Sequence, residues 1–287
     1  MIRRAVALLL ALSLGAHAAP RRRPIGSPVR GLRDVGRVLI VILENTDASA
    51  AEAQPFLRQL GARGAMLRTY RAVTHPSQPN YIAMVSGSTH GVDGSDPVTL
   101  PVPHLGDLLE QRGLRWKVYA EGYPGNCFLG VAFGRYVRRH VPFLSFVNVQ
   151  NDFQRCSANI VDATRFDADL AANALPAFAM YIPDLDNDGH DTGVAFADAW
   201  LASRFGPILD SGGLPADTLF IVMFDEGTTG SANIVYCSFN GAGVRPGAVS
   251  TEPYNHYDLL RTFEEIFRTG SLGQNDARAR VIGDVWR

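Results

Sequence analysis

Apolar positions along the chain fall into short continuous runs, separated by segments with helical spacing. Arg37–Leu43 and Thr218–Phe224 are nearly unbroken rows of aliphatic, β-branched and aromatic residues, as suits strands covered on both faces in a parallel sheet. Trp116–Ala120 and Phe178–Ile182 read as further strands, with shorter ones predicted at 66–70 and 233–239. Helices are predicted at 55–60, 81–85, 104–112, 194–209 and 257–267. The stretch 121–163 is polar, aromatic and irregular. Strands alternating with helices define an α/β class, a largely parallel central sheet sandwiched by helices. No repeat or low-complexity linker divides residues 37–287, so a single domain with a loop-rich insert is expected.

The extreme start of the chain follows a different pattern. Arg3 and Arg4 precede an apolar run over 5–14, and Ala16-His17-Ala18 has the small-x-small form of a cleavage site. Together these describe a signal peptide over 1–18, cut near Ala18, followed by an arginine- and proline-rich arm over 19–36. The product is expected to be secreted or periplasmic. The apolar run is too short to cross a bilayer, and no later run of about 20 apolar residues occurs.

The 287 residues are 46% hydrophobic and 19% charged, with a formal charge of −1. That composition supplies a core, excludes disordered and fibrous classes, and leaves no cationic platform for nucleic acid. Of the three cysteines, Cys127 and Cys156 flank one loop-like segment and are the favoured disulfide in an exported protein. Cys237 lies in an apolar run, as a buried free thiol would. The sequence leaves oligomeric state open.

Candidate chemistry collects where strands end. Glu44-Asn45, Pro183-Asp184 and Asp225-Glu226 each follow an apolar run directly, and open α/β sheets build their sites beyond the carboxyl ends of strands. Converging carboxylates repel unless a cation joins them. Glu44, Asn45, Asp225 and Glu226 offer hard oxygen donors suited to Mg²⁺, Mn²⁺ or Ca²⁺. Asp186-Asn187-Asp188-Gly189-His190 adds carboxylates and an imidazole in one tight turn. The run from Asp184 to Gly189 also matches the opening of an EF-hand calcium loop, but its twelfth position is Ala195, where a bidentate acid is required. Ser77 stands just before a predicted helix, where amide groups and the helix dipole favour an anion. A cation on its hydroxyl would turn it into a nucleophile. No Gly-x-Ser-x-Gly elbow is present, which argues against a metal-free serine hydrolase.

Over about 37–267 these motifs resemble, in order, the phosphoesterase family of bacterial acid phosphatases and phospholipases C, within the alkaline phosphatase superfamily. Leu43-Glu44-Asn45 resembles the family's metal-binding start, and the string beginning Ser77-Gln-Pro-Asn-Tyr is similar to its nucleophile helix. Asp225-Glu226 looks like its acidic metal pair. The resemblance implies a divalent cation (Mg²⁺, Mn²⁺, Ca²⁺ or Zn²⁺) on Glu44, Asn45, Ser77, Asp225 and Glu226. It suggests a second metal loop in Asp186 or Asp188 with His190 and His256. His140, in a loop similar to one beside the family's phosphate, is a candidate phosphate ligand or proton donor, as is His190 for the proton. His75 and Asn80 are further candidates for phosphate contact. The function implied is a metal-dependent phosphomonoesterase acting on a small-molecule phosphoester through phosphoserine at Ser77. A phosphodiesterase of the phospholipase C type is the alternative, and a non-enzymatic calcium module explains least.

Overall fold

The protein is described by a computed structural model covering residues 30–287; the expected signal peptide and most of the arm lie outside the described residues. The strands are β1 (Arg37–Leu43), β2 (Ala65–Leu67), β3 (Trp116–Ala120), β4 (Ala132–Phe133), β5 (Tyr136–Val137), β6 (Ile160–Asp162), β7 (Phe178–Ile182), β8 (Thr218–Phe224), β9 (Cys237–Gly241) and β10 (Ala248–Ser250). Eight of them form one sheet in the order β10-β2-β9-β8-β1-β7-β3-β6. From β8 to β6 every pairing is parallel, while β9 runs antiparallel between β8 and β2. The apolar runs of β1 and β8 are the central pair, with Leu43 opposite Phe224. Every residue of β8 is buried, which is why its sequence does not alternate.

The helices are α1 (Ala48–Glu52), α2 (Pro55–Arg63), α3 (Ser77–Ser86), α4 (Leu105–Gln111), α5 (Val147–Gln150), α6 (Phe153–Asn159), α7 (Arg165–Ala171), α8 (Val194–Asp210) and α9 (His256–Phe267). They flank the sheet in packed groups, α2 against α8, and α3 and α4 against α9. Asp198 of α8 accepts the Phe56 and Leu57 amides at 3.1 and 2.7 Å. It supplies from another helix the cap that the α2 sequence lacks.

The pattern-based elements are present with shifted ends. The strand predicted at 233–239 begins only at Cys237, because Ile234 and Val235 form single bridges to Arg71 and Asp47. Residues 121–163 hold the β4–β5 hairpin, short helical turns and the edge strand β6. A Cys127–Cys156 disulfide closes this segment, with Cα atoms 5.6 Å apart, and Cys237 is a buried free thiol. Among the described residues no helix is long and apolar enough to cross a membrane.

Candidate active site

The parallel register of β7, β1 and β8 carries three loops to the same sheet edge. Backbone hydrogen bonds stitch them together beyond the strands: the Glu44 amide donates to the Asp188 carbonyl at 3.0 Å, and the Asp225 and Thr46 amides reach Leu43 and Glu226 carbonyls at 3.0 Å each. Asn45 adopts a left-handed φ of 55°, a conformation asparagine tolerates better than most residues. Its amide donates to Asp225 Oδ1 at 3.1 Å. Glu44, Asp188, Asp225 and Glu226 are all buried there.

Helix α3 begins at Ser77 and points its first turn at this acidic edge. The Ser77 hydroxyl lies 3.0 Å from Glu44 Oε2, 3.3 Å from Glu226 Oε1 and 3.4 Å from Asn45 Oδ1. One turn on, the Tyr81 hydroxyl donates to the other Glu44 oxygen. The α3 start thus meets three residues more than 30 positions away in sequence with the hydroxyl that the pattern singled out.

His140 is enclosed. Its Nε2 is 3.3 Å from Glu44 Oε2 and its Nδ1 3.3 Å from Asp188 Oδ2, and it is 1% exposed. Glu44, His140 and Asp188 offer donor atoms within 4.8 Å of one another, the spacing a bound cation needs. Burial, with the Asp225 and Asp188 charges, raises the Glu44 carboxyl well above its ordinary range. Burial and the Glu226 charge bring Asp225 to about 7. Burial brings Glu226 to about 7, and Asp188 to about 8 with the Asp225 and Asp184 charges adding to it. Burial, then Arg139 and His190, press His140 well down. Asp225 Oδ2, Asp188 Oδ2 and both His140 nitrogens are buried without a hydrogen-bond partner. Four crowded carboxylates, two of them with an orphaned oxygen, are a donor set that fits a divalent cation.

Other candidates are placed elsewhere. Asp186 is half-exposed and ion-paired with Arg135, which also holds Asp191 at 2.8 Å; Asp188, not Asp186, enters the cluster. His256 is buried, but its Nδ1 meets the Tyr70 hydroxyl at 3.0 Å and its Nε2 the Asp225 carbonyl at 2.7 Å. Both nitrogens meet protein groups, and the ring buttresses the Asp225 backbone. His190 sits outside the cluster, its ring 6.2 Å from that of His140, between Asp191 at 2.6 Å and Arg139 at 3.3 Å. Asn80 Oδ1 accepts the Val73 and Thr74 amides, and its Nδ2 donates to the Thr74 and Pro76 carbonyls and lies 3.4 Å from Glu226 Oε2. Its amide shapes the loop before Ser77. His75 Nδ1 lies 2.7 Å from Glu226 Oε2, with both ring nitrogens buried. The Asp184 loop is closed by its own bonds, Asp184 Oδ1 taking the Asp186 and Asn187 amides.

The mostly parallel sheet and its flanking helices match, as a fold, solved structures of the alkaline phosphatase superfamily. The chain superposes on a protein of that superfamily from Vibrio parahaemolyticus with a TM-score of 0.57 at 15% identity, covering 85% of this chain and 70% of the other. It also superposes on the phosphonate monoester hydrolase of Silicibacter pomeroyi with a TM-score of 0.56 at 13% identity, over 86% of this chain and 76% of the other. Residues 48–269 match the phosphoesterase family, and the chain belongs to it. It is 36% identical to a probable acid phosphatase of Kluyveromyces lactis over 86% of this chain and 61% of the relative. It is 33% identical to a phosphatidylinositol-3-phosphatase of Mycobacterium tuberculosis over 98% and 93%. The chain spans about three fifths of the length of the Kluyveromyces and Aspergillus fumigatus relatives it matches, 61% and 60%.

Proposed function

We propose that the protein is an exported, cation-dependent phosphomonoesterase that works through a phosphoserine at Ser77. The observation that carries this is the Ser77 hydroxyl, at the start of a ten-residue helix and within 3.4 Å of Glu44, Glu226 and Asn45. Glu44, Asn45, Ser77, Asp225 and Glu226 would hold the cation, with Asp188 and His140 completing the donors on the far side of Glu44. When bound, such a cation offsets the clustered negative charge and acts as a Lewis acid toward phosphoryl oxygens.

The chain's own residues then divide the chemistry. Ser77 Oγ forms a bond to phosphorus as the bond to the leaving oxygen breaks, and its proton departs along the hydrogen bonds to Glu44 and Glu226. The α3 amides face the equatorial oxygens, where the helix dipole favours their charge. A general acid must reach the leaving oxygen. His140 is too enclosed for that, so the exposed His190 is assigned the proton. Water then cleaves the phosphoserine and restores the hydroxyl. Hydrolysis of p-nitrophenyl phosphate should collapse in chelator and in Ser77→Ala. Full activity in both would discard the scheme.

A second reading places the monoester on a lipid. The β4–β5 hairpin exposes Val131 (57%) and Phe133 (58%), and its turn residue Arg135 rests on the loop of Asp186 and Asp191 at the mouth. Such apolar exposure beside a polar site suits contact with a lipid interface. Comparing vesicle-borne phosphoinositide with p-nitrophenyl phosphate separates the two. A preference for bis-nitrophenyl phosphate would instead favour the diesterase.

A further inference from the structure

Resting on that functional reading, we infer that Tyr81 is a positioning residue that locks the orientation of the Glu44 carboxylate. Residues four apart lie on one helix face, so α3 presents Ser77 and Tyr81 to the same acid. Ser77 donates to Glu44 Oε2 at 3.0 Å and the Tyr81 hydroxyl donates to Oε1. His140 Nε2 adds a contact at 3.3 Å, again on Oε2. The two carboxylate oxygens are therefore told apart: one faces the nucleophile and imidazole, the other is held by a phenol. The terminal torsion of a glutamate is broad and two-fold. Without the phenol hydroxyl, Oε1 has no donor and the carboxylate is free to turn, offering a cation both oxygens or the wrong one.

The same ring orders a second group. Tyr81 stacks on His140 with centroids 5.2 Å apart and planes 13° from parallel, which fixes the imidazole between Glu44 and Asp188. Tyr81 itself is fully buried, and its hydroxyl bonds only Glu44. Packing alone would be satisfied by phenylalanine, so the hydroxyl is the part of the side chain that serves the site.

The test is a double-mutant cycle of Tyr81→Phe and Glu44→Gln in the full chain. It is read by Mn²⁺ calorimetry, by thermal midpoint, and by kcat and KM on p-nitrophenyl phosphate. Tyr81→Phe should lower kcat and Mn²⁺ affinity by ~10–100-fold, the usual effect of losing a partner that orients a ligand. KM should stay within about twofold and the ring packing should hold the midpoint. In the Glu44→Gln background the same change should add almost nothing, because the group it positions is gone. Wild-type kcat and Mn²⁺ affinity in Tyr81→Phe, or losses that simply add across the cycle, would overturn the inference. A Ser77→Ala control keeps the questions apart. Retained turnover there would sink the phosphoserine reading, while Mn²⁺ calorimetry would still decide the role of Tyr81.

Discussion

Stripping divalent cations should give the protein an inverted stability profile above neutral pH. Asp225 and Glu226 titrate at about 7 and Asp188 at about 8 in the cation-free fold, whereas in the unfolded chain such groups titrate near 4. Between pH 6.5 and 8.5 the fold therefore releases protons that the unfolded chain has already lost, and stability falls as pH rises. Integrated over that window, the loss is roughly 0.8 kcal/mol for each of Asp225 and Glu226 and roughly 2 kcal/mol for Asp188. For a chain of this size that is a drop on the order of 10 °C in melting midpoint. The histidines offset only part of this loss. His104 and His256 titrate at about 4 and burial presses His140 well down, so all three are neutral in the fold. The unfolded chain loses about half a proton from each between pH 6.5 and 8.5. That is an opposing gain of roughly 0.4 kcal/mol apiece, which leaves the net slope downward. The assay is thermal unfolding in chelator and in excess Mg²⁺ or Mn²⁺, at both pH values. The cation should hold the carboxylates ionised and flatten the profile. A chelated midpoint that is level or rises with pH, or one that ignores the cation, would refute the electrostatic account of the site.

Other consequences follow from the remaining framework. Part of the downward slope should survive cation loading, because Glu264 of α9 is buried beside Asp276 and titrates at about 8. Burial is the main cause, and the two carboxyls share the Leu272 amide. Glu264→Gln should remove that remainder and raise the midpoint at pH 8.5, as unfolding scans would show; an unchanged slope would contradict it. Replacing Cys127 and Cys156 by serine opens a link spanning 29 positions. Chain entropy puts the loss at ~3–4 kcal/mol, measurable by urea unfolding; stability within 1 kcal/mol, about a factor of five in the folding equilibrium, would show that the insert is held by packing instead.

Much of the frame was legible in the residues because the central strands are buried on both faces. Arg37–Leu43, Trp116–Ala120, Phe178–Ile182 and Thr218–Phe224 match the predicted bounds. Acid placed immediately after an apolar strand survives translation into space because a parallel sheet aligns its carboxyl ends, which is how Glu44, Asp225 and Glu226 come together. The edges were harder. Strands β6 and β10 have three residues each, too few for a period to register, and α7 was masked by its polar surroundings. In the site, spacing could not separate Asp186 from Asp188, since a single turn sends one to Arg135 and the other inward. The enclosure of His140 depends on the 121–163 insert folding back, which no local pattern encodes. His256 and Asn80 carry chemistry-bearing side chains that bond neighbouring backbone and side-chain groups. Tyr81 could have been found from its four-residue spacing to Ser77, but an aromatic on an apolar helix face reads first as core.

The central claim is that one hydroxyl, Ser77 Oγ, becomes the phosphoryl carrier. Acid-quenching the cation-loaded protein during turnover of a phosphomonoester, followed by peptide mass spectrometry, tests it most directly. The account predicts one phosphoryl group on the peptide containing Ser77, absent in chelator and in Ser77→Ala. Steady turnover with that peptide unmodified at every quench time, and with Ser77→Ala as active as the wild type, would contradict it.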